Sequence, residues 1–294
     1  MGAELISVCG ATGRQGGAVA RTLVRDGRRV RALTRRADRG PARDLAAAGA
    51  EVVQADMDDP ASLRAAFDGA DGVFSVQNGI ASGFDREVQQ GRNVADAAQA
   101  AGVAHLVYGS AGTGKVDNTV PSWQSKLAIE EHIRSLGLPV TVLRPTAFME
   151  LMTDKTFYPQ VGTWRLFPKL TGEDRAIPWL AVNDLGAIAA RAFAEPDRFV
   201  GKELKLAADW QTLAQCRSMY REVLGKDPKT VPMPIWLFDK FTRSDPTAQW
   251  RWLRTNMVET DVEGTRAVLP SALTVRQWLE KVRDRTAGAG PGRG

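Results

Sequence analysis

Residues that cross-link a chain or hold metal ions are scarce in this sequence, which has two cysteines and two histidines among 294 residues. Cys9 and Cys216 lie far apart along the chain, as do His105 and His132, so we expect no disulfide framework and no metal site. Cys9 stands in an apolar stretch and is interpreted as a small buried hydrophobic residue.

Long hydrophobic runs are also missing. No stretch approaches the roughly 18 apolar residues of a membrane helix, and the N-terminus lacks the charged-then-apolar layout of a secretory signal. The sequence therefore predicts a cytoplasmic protein with no membrane partner.

Charge of one sign is not concentrated anywhere, although the net charge is +5. The 39 lysines and arginines are interleaved with 34 acidic residues, which is typical of a solvated surface of mixed sign. Because the sequence has no basic arm, no aromatic RNA-binding motif and no recognition-helix module, we expect no nucleic-acid partner.

Short apolar runs alternate with helical patterns over the first half of the chain. Six strands are predicted, with the sequences AELISV, RRVRALT, AEVVQA, GVFSV, AHLVYGS and PVTVLRP. Parallel strands need crossover connections, and the helices between successive strands supply them. The pattern predicts an α/β protein with a doubly wound parallel sheet, the Rossmann fold.

The domain boundaries follow from a change of pattern about halfway along the chain. Residues 1–150 are predicted to form the Rossmann domain, and residues 176–200 to return to it. Residues 151–175 and 201–283 are expected to form a smaller, mostly helical substrate-side domain. The glycine-rich residues 284–294 are expected to be a disordered tail.

Three spaced glycines, Gly10, Gly13 and Gly16, follow the first predicted strand in VCGATGRQGG. Gly10 permits a tight turn, Gly13 lets backbone N–H groups approach a pyrophosphate, and Gly16 or Gly17 lets the next helix lie close to the strand. The helix N-terminus would then face the anion with unpaired donors. We predict a dinucleotide-binding turn, with glycines needed only for turning as the alternative. The Gly-Lys-Ser or Gly-Lys-Thr ending of a mononucleotide P-loop is missing.

The choice of dinucleotide depends on the residues that follow the second strand. NAD sites usually place an acidic residue there, about 20 residues beyond the glycines, to bind the ribose 2′-hydroxyl. This chain has Arg35 and Arg36 instead, and a guanidinium pairs with a 2′-phosphate through charge-assisted hydrogen bonds. We therefore predict NADP(H), with two solvent-facing arginines as the alternative.

Three further residues are candidates for cofactor contacts. Arg14, in the glycine turn, either adds a phosphate contact or is an exposed turn residue. Asp56, at the end of the third strand, is placed to reach the adenine amino group, and Met57 lies beside it.

Seven segments, in this order, carry a wider resemblance: VCGATGRQGGAVARTL, VRALTRR, GAEVVQADMDD, VYGSAG, LPVTVLRPTAFMEL, VNDLGAIA and LTVRQWLEKV. Together, over residues 4–283, they resemble the NmrA-like family, an atypical branch of the short-chain dehydrogenases. The resemblance implies an NADP(H)-binding Rossmann domain and a smaller C-terminal domain. Members of the family include reductases of quinones, dyes and plant phenylpropanoids, and redox-sensing regulators that bind NADP(H).

The resemblance also assigns cofactor contacts by position. The matching positions are Gly10, Thr12, Gly13, Gln15, Gly16, Arg35, Asp56 and Lys126. The segment Val76-Gln77-Asn78 would line the cofactor after the fourth strand.

One departure concerns the catalytic residues. Tyrosine-dependent short-chain dehydrogenases carry a tyrosine four residues before the lysine, and this chain has Ser122 four residues before Lys126. Ser110, at the end of the fifth predicted strand, is a candidate polar partner. Lys126 is expected to hold the ribose hydroxyls and stabilise negative charge on the acceptor, or else to be a solvated lysine. Tyr108 and Tyr158 are weaker candidates for a substitute acid, each with packing as the alternative.

Aromatic and apolar residues after the sixth strand are candidate walls for a substrate pocket, and ordinary packing is the alternative. They are Phe148, Met149, Phe157, Tyr158, Trp164 and Phe167, with Phe148 and Met149 nearest the strand.

Two functional hypotheses remain at this point. The first is an NADPH-dependent reductase of a small apolar acceptor, such as a quinone, an enone or a cationic dye, because hydride transfer to such a carbon needs mainly an oriented nicotinamide. The alternative is a non-catalytic NADP(H) redox sensor that acts through a regulatory protein partner. Either protein would be a monomer or a homodimer.

Overall fold

A computed structural model describes residues 4–114, 119–154, 156, 162–230 and 232–288. Its ten strands, numbered along the chain, are β1 (Leu5–Val8), β2 (Arg29–Thr34), β3 (Glu51–Gln54), β4 (Gly72–Ser75), β5 (His105–Gly109), β6 (Val140–Pro145), β7 (Ala147–Phe148), β8 (Ala176–Leu180), β9 (Glu203–Leu206) and β10 (Asp209–Thr212). The described residues divide into two compact units. The first contains residues 4–113, 121–145 and 182–205, and the second contains residues 114, 119–120, 146–154, 156, 162–181, 206–230 and 232–288.

The first unit contains a seven-stranded sheet in the order β3-β2-β1-β4-β5-β6-β9. Strands β1 to β6 pair in parallel, so their carboxyl ends lie along one edge. The strand order reverses between β1 and β4, and ligands of such sheets bind at that point. The predicted doubly wound Rossmann sheet is confirmed. The seventh strand, β9, was not predicted.

Helices connect these strands and cover the sheet. They are α1 (Arg14–Arg25), α2 (Gly40–Ala47), α3 (Pro60–Phe67), α4 (Gly79–Ser82), α5 (Phe84–Ala100), α6 (Pro121–Ser135), α8 (Val182–Ala194) and α9 (Pro196–Phe199). Local sequence explains several boundaries: the Asp59 side chain accepts a hydrogen bond from the Ala61 N–H and caps α3, and Pro60 takes the first helical position. Gly186 lets α8 approach α1, because a Cβ there would lie 2.8 Å from the Ala18 carbonyl oxygen.

The second unit combines helices with a small sheet in the order β10-β8-β7. Its helices are α7 (Phe167–Thr171), α10 (Leu213–Leu224), α11 (Ile235–Thr242), α12 (Asp245–Trp252), α13 (Val262–Val268) and α14 (Val275–Gly288), with a 3-10 turn at Met149–Met152 and a π-helical turn at Gly162–Leu166. No helix in the described ranges combines the length and apolar character needed to cross a bilayer.

Two predicted boundaries differ from the structure. Residues 176–200 were expected to return to the main sheet, but β8 pairs antiparallel with β10 and parallel with β7, and the return begins at Val182. An apolar strand can be buried in either sheet, so its sequence does not select the partner. Residues 284–288, expected in a disordered tail, belong to α14; residues 289–294 lie outside the described part.

Candidate functional site

The glycine turn lies between β1 and α1 at the point where the strand order reverses. Gly10 has φ +62°, a conformation that side chains other than glycine rarely adopt, and its carbonyl accepts a 2.8 Å hydrogen bond from the Gly13 N–H. Thr12 and Gly13 are exposed at the tip. The turn is therefore tight, and its backbone is accessible to a ligand.

Gly16 is required by the closeness of α1 to the turn. A Cβ at this position would lie 2.6 Å from the Cys9 carbonyl oxygen and closer still to that of Gly10. Neither contact can relax by a side-chain rotation, because both involve backbone atoms. The predicted role of Gly16 in helix–strand packing agrees with this geometry.

The first turn of α1 is suited to an anion. It contains no acidic residue, and the residue before the helix, Gly13, provides no side-chain cap. The N–H groups of a first helical turn have no partner within the helix, and they carry partial positive charge. Arg14 and Gln15 lie in this turn, and the buried Gln15 Oε1 accepts no hydrogen bond from any described residue.

Parallel pairing brings the other candidate cofactor contacts to the same edge of the sheet. Val8 pairs with Ala32 of β2 and Phe74 of β4, so the turn, Arg35 and Gln77 all follow adjacent strand ends. Arg35 and Arg36 are exposed just beyond β2.

Asp56 and Met57 follow β3 and are half-buried. Asp56 Oδ1 accepts a 3.1 Å hydrogen bond from the Asp58 N–H, and the Met57 carbonyl accepts one of 2.9 Å from Asn93 Nδ2. These contacts fix the loop at the end of β3.

Gln77 and Asn78 follow β4. Gln77 Nε2 donates to Ser75 Oγ at 2.9 Å, whereas its buried Oε1 has no hydrogen-bond donor among the described residues. Asn78 is exposed, and its side chain accepts a hydrogen bond from the Ala81 N–H and caps α4.

Lys126, on α6, is buried and not solvated. Its Nζ lies 2.9 Å from Oε1 of Glu87 and donates to the Gln77 carbonyl at 2.8 Å. Glu87, on α5, also accepts a hydrogen bond from Ser125 Oγ. The alternative of a solvated lysine is therefore wrong.

Ser110, after β5, belongs to a separate buried network. Its Oγ donates to Glu130 Oε1 at 2.5 Å, and Glu130 Oε2 binds Arg144 at 2.6 Å and Arg134 at 2.8 Å. Ser122 is half-buried in the first turn of α6, and its carbonyl accepts a hydrogen bond from Ser125. Ser110 thus pairs with Glu130, whereas Ser125 connects the Ser122 carbonyl to Glu87, which is the partner of Lys126.

Tyr108 is not a substitute acid that can reach a substrate. Its side chain is fully buried in the core, and its hydroxyl has no partner among the described residues. Burial, together with the carboxylates of Glu87 and Glu130, raises the Tyr108 pKa well above its usual value. The packing interpretation is correct for this residue.

The candidate pocket residues that the structure describes are buried in the second unit. Phe148 and Met149 are 8% and 0% exposed. The Trp164 indole N–H donates to the Met152 carbonyl, and its ring lies edge-on to Tyr220 at 5.4 Å between centroids. Phe167 stacks on Trp250 at 4.2 Å. Phe157 and Tyr158 lie outside the described residues, and a role in substrate binding stays a prediction for all six.

Two buried carboxylates near the candidate site, Glu87 and Glu130, were not predicted from the sequence. Glu87 could have been found, because it lies four residues before Gly91 and seven before Val94 on the buried face of α5, where a carboxylate needs a partner. Glu130 stands four residues after Lys126, a spacing that suggests an ion pair between them, yet each pairs elsewhere.

Known proteins with similar sequences belong to the family that the motifs resemble. The model of the NmrA-like family matches residues 2–273. The "NmrA-like family domain-containing oxidoreductase FrzB" of Cladobotryum sp is 33% identical over a 261-residue alignment, and the match covers 79% of this chain and 77% of that protein.

Solved structures that share the fold of this chain include the following two. NmrA, a negative transcriptional regulator crystallised in complex with NADP, has a TM-score of 0.79 at 20% identity, covering 99% of this chain and 98% of that one. The triphenylmethane reductase of Citrobacter sp., complexed with NADP(H), has a TM-score of 0.73 at 20% identity, covering 96% of this chain and 100% of that one.

Proposed function

The chain belongs to the NmrA-like family, and from this premise and the glycine turn we propose that it binds NADP(H) and reduces a small apolar acceptor. The observation that carries the proposal is the close packing at Gly16, where any side chain would collide with the backbone of Cys9 and Gly10. A turn this tight presents the α1 N-terminus, which suits a pyrophosphate.

The residues at the sheet edge fit such a ligand. The first turn of α1 has no side-chain cap and no acidic residue, and the buried Gln15 Oε1 accepts no hydrogen bond from the described residues. The same holds for the buried Gln77 Oε1, beyond β4. A buried polar atom without a partner is costly, so ligand donors at these positions would offset that cost.

Preference for NADP(H) over NAD(H) is assigned to Arg35 and Arg36. Both are exposed beyond β2, where an acidic residue would otherwise select a ribose hydroxyl. A guanidinium here binds a phosphate and carries no repulsive charge against it.

When bound, NADPH would supply a hydride to an electrophilic carbon; a quinone or an enone would also take up one proton from water, whereas a cationic dye would be neutralised by the hydride alone. The chain's own residues bind and orient. Lys126 is held by Glu87 and Gln77, so it offers a fixed positive group and not a mobile one. Neither Ser110 nor Tyr108 is placed to act as an acid, which favours acceptors such as quinones, enones and cationic dyes. The NmrA-like oxidoreductase FrzB and the Citrobacter triphenylmethane reductase support this assignment.

A non-catalytic NADP(H) sensor is a second candidate, favoured by the burial of both polar groups, Ser110 and Lys126, in pairs with carboxylates. The two functions separate in one experiment. Purified protein is titrated with NADPH by fluorescence and then mixed with a panel of quinones, enones and cationic dyes. Acceptor-dependent NADPH oxidation supports the reductase; tight binding without turnover across the panel, with different affinities for NADP⁺ and NADPH, supports the sensor. No binding at near-millimolar NADPH contradicts both.

A further inference from the structure

The ammonium of Lys126 is held in the protein interior by two acceptors. Its Nζ is 2.9 Å from Glu87 Oε1 and 2.8 Å from the Gln77 carbonyl oxygen. Lys126 is 7% exposed and Glu87 is 1% exposed. An ammonium has three N–H donors, so these two contacts leave one donor for a further acceptor.

Glu87 is itself fixed from two sides. Its second oxygen, Oε2, accepts a hydrogen bond from Ser125 Oγ, and Ser125 directly precedes Lys126 on α6. Gly79 makes room for the carboxylate, since a Cβ there would collide with Oε2 and would lie 2.5 Å from the Phe84 ring. The carboxylate therefore has one position, set by α4, α5 and α6.

The other charged and titratable groups around Lys126 do not replace Glu87. The Tyr108 ring on β5 has its centroid 5.8 Å from Nζ, and its buried hydroxyl is neutral because its pKa is raised well above 10.0. Glu130, one turn further along α6, is bound by Arg134 and Arg144. Glu87 is thus the carboxylate that compensates the buried ammonium.

Stability alone does not account for this arrangement. A buried ion pair contributes little more than apolar residues of the same size would, because both charges lose their hydration. The pair does, however, connect helices α5 and α6 to the Gln77 carbonyl, in the segment that is predicted to line the cofactor. The ion pair therefore fixes the Lys126 ammonium next to that segment.

We infer that Glu87 is a positioning residue for cofactor binding, acting through Lys126. This inference rests on the proposed NADP(H) site and adds a residue to it. Glu87 holds Nζ at a single place, so that the remaining N–H is already oriented when a ligand hydroxyl arrives and no side-chain freedom is lost on binding.

The first test needs no ligand. Glu87→Gln and the matched control Glu131→Gln, at an exposed glutamate of α6, are treated with an acetylating N-hydroxysuccinimide ester, and Lys126 modification is followed by mass spectrometry with exposed Lys202 as the internal reference. Loss of a charge-assisted contact should release Nζ and raise the Lys126 rate at least about tenfold in Glu87→Gln alone. Equal Lys126 rates in the two variants would overturn the inference.

The second test is a double-mutant cycle on affinity, measured by NADPH fluorescence below the melting temperature of every variant. Glu87→Gln should raise the Kd for NADPH about tenfold, and Glu131→Gln should leave it unchanged. In the Glu87→Gln, Lys126→Met double variant, which has no buried charge to strand, the Kd should match that of Lys126→Met. Additive effects would mean that Glu87 does not act through Lys126, and would reject the inference.

Failure of the inference and failure of the proposed function give different results. Wild-type protein that does not bind NADPH contradicts the proposed function and, with it, any role of Glu87 toward that cofactor, whatever the labelling rates. If wild-type protein binds NADPH but either the Lys126 labelling rate or the Kd for NADPH is unaltered in Glu87→Gln, the positioning role alone is contradicted.

Discussion

His105 Nε2 lies 2.8 Å from Thr141 Oγ1 in the interior of the first unit. The Thr141 hydroxyl donates its own hydrogen to the Phe199 carbonyl at 2.7 Å, so His105 must be the donor through Nε2–H. Its Nδ1 is then an unprotonated acceptor, and it is buried without a partner among the described residues. The neutral ring leaves only an uncharged acceptor unpaired, whereas a protonated ring would bury a charge and an N–H donor with no acceptor among the described residues, which costs more.

This relationship predicts a pH-dependent stability. Burial lowers the His105 pKa from 6.5 to about 4, so the unfolded chain binds a proton that the folded chain does not between these values. The stabilisation is complete above pH 6.5 and is lost as the pH falls toward 4, by about 3 kcal/mol in all. Urea unfolding of wild type and His105→Gln across this range measures it: the wild type should lose more stability than the variant. Parallel pH profiles would contradict the assignment, and His132→Gln, at a half-buried histidine on α6, serves as the control.

Gly16→Ala should weaken NADPH binding more than any other glycine-to-alanine substitution in the glycine turn. The new Cβ meets two backbone carbonyl oxygens, so either α1 or the turn must move. We expect loss of NADPH binding and destabilisation of about 1–3 kcal/mol, the usual cost of overpacking. Calorimetry and thermal melts measure the two effects. The matched control is Gly40→Ala at the start of α2, where a Cβ meets nothing within 4 Å; equal effects of the two substitutions would refute the close-packing argument.

Much of the fold could be predicted because it depends on patterns of residues that are close together in the sequence. The alternation of apolar strands with helices gives the parallel sheet, and the spacing of Gly10, Gly13 and Gly16 gives the turn that joins β1 to α1. These features depend on residues near each other in the sequence. The sheet that β8 joins could not be predicted in this way, because its apolar residues would suit a central strand of either sheet.

The candidate site was predicted less completely, for a related reason. Lys126 was singled out, but the residue that pairs with it, Glu87, comes 39 positions earlier on another helix. Helical spacing alone would have suggested Glu130 as the partner, but in the structure Glu130, on α6, pairs with Arg144 of β6. Partner choice among buried charges is decided by tertiary packing, and a single sequence records only that each buried charge needs a partner.

Glu130→Ala should be among the more destabilising single substitutions in the first unit. Its carboxylate is fully buried and binds Arg144, Arg134 and Ser110, so its removal leaves the largely buried Arg144 guanidinium poorly compensated. Breaking a buried pair in this way costs about 3–5 kcal/mol, and the remaining 3.2 Å contact of Arg144 with Glu203 places the expectation at the lower end. Denaturant unfolding provides the measurement. Glu131→Ala, at the exposed neighbouring position, should stay within about 0.5 kcal/mol of wild type, and similar losses for both would contradict the role of Glu130.

Arg35 is expected to distinguish the two nicotinamide dinucleotides, which differ only in the phosphate on the adenosine ribose. In Arg35→Glu a carboxylate replaces the guanidinium beyond β2, so the affinity for NADPH should fall at least about tenfold more than the affinity for NADH, the effect of losing a charge-assisted hydrogen bond. The exposed Arg39 provides a matched control, because Arg39→Glu makes the same change of net charge on α2's flank without removing a group next to the strand end. Fluorescence titrations of both variants with both dinucleotides give the four affinities. Selection of the phosphate does not depend on Arg35 if Arg35→Glu weakens the binding of NADPH and NADH equally, or if Arg39→Glu discriminates between them as strongly. In that case Arg36→Glu is the variant that must show the discrimination.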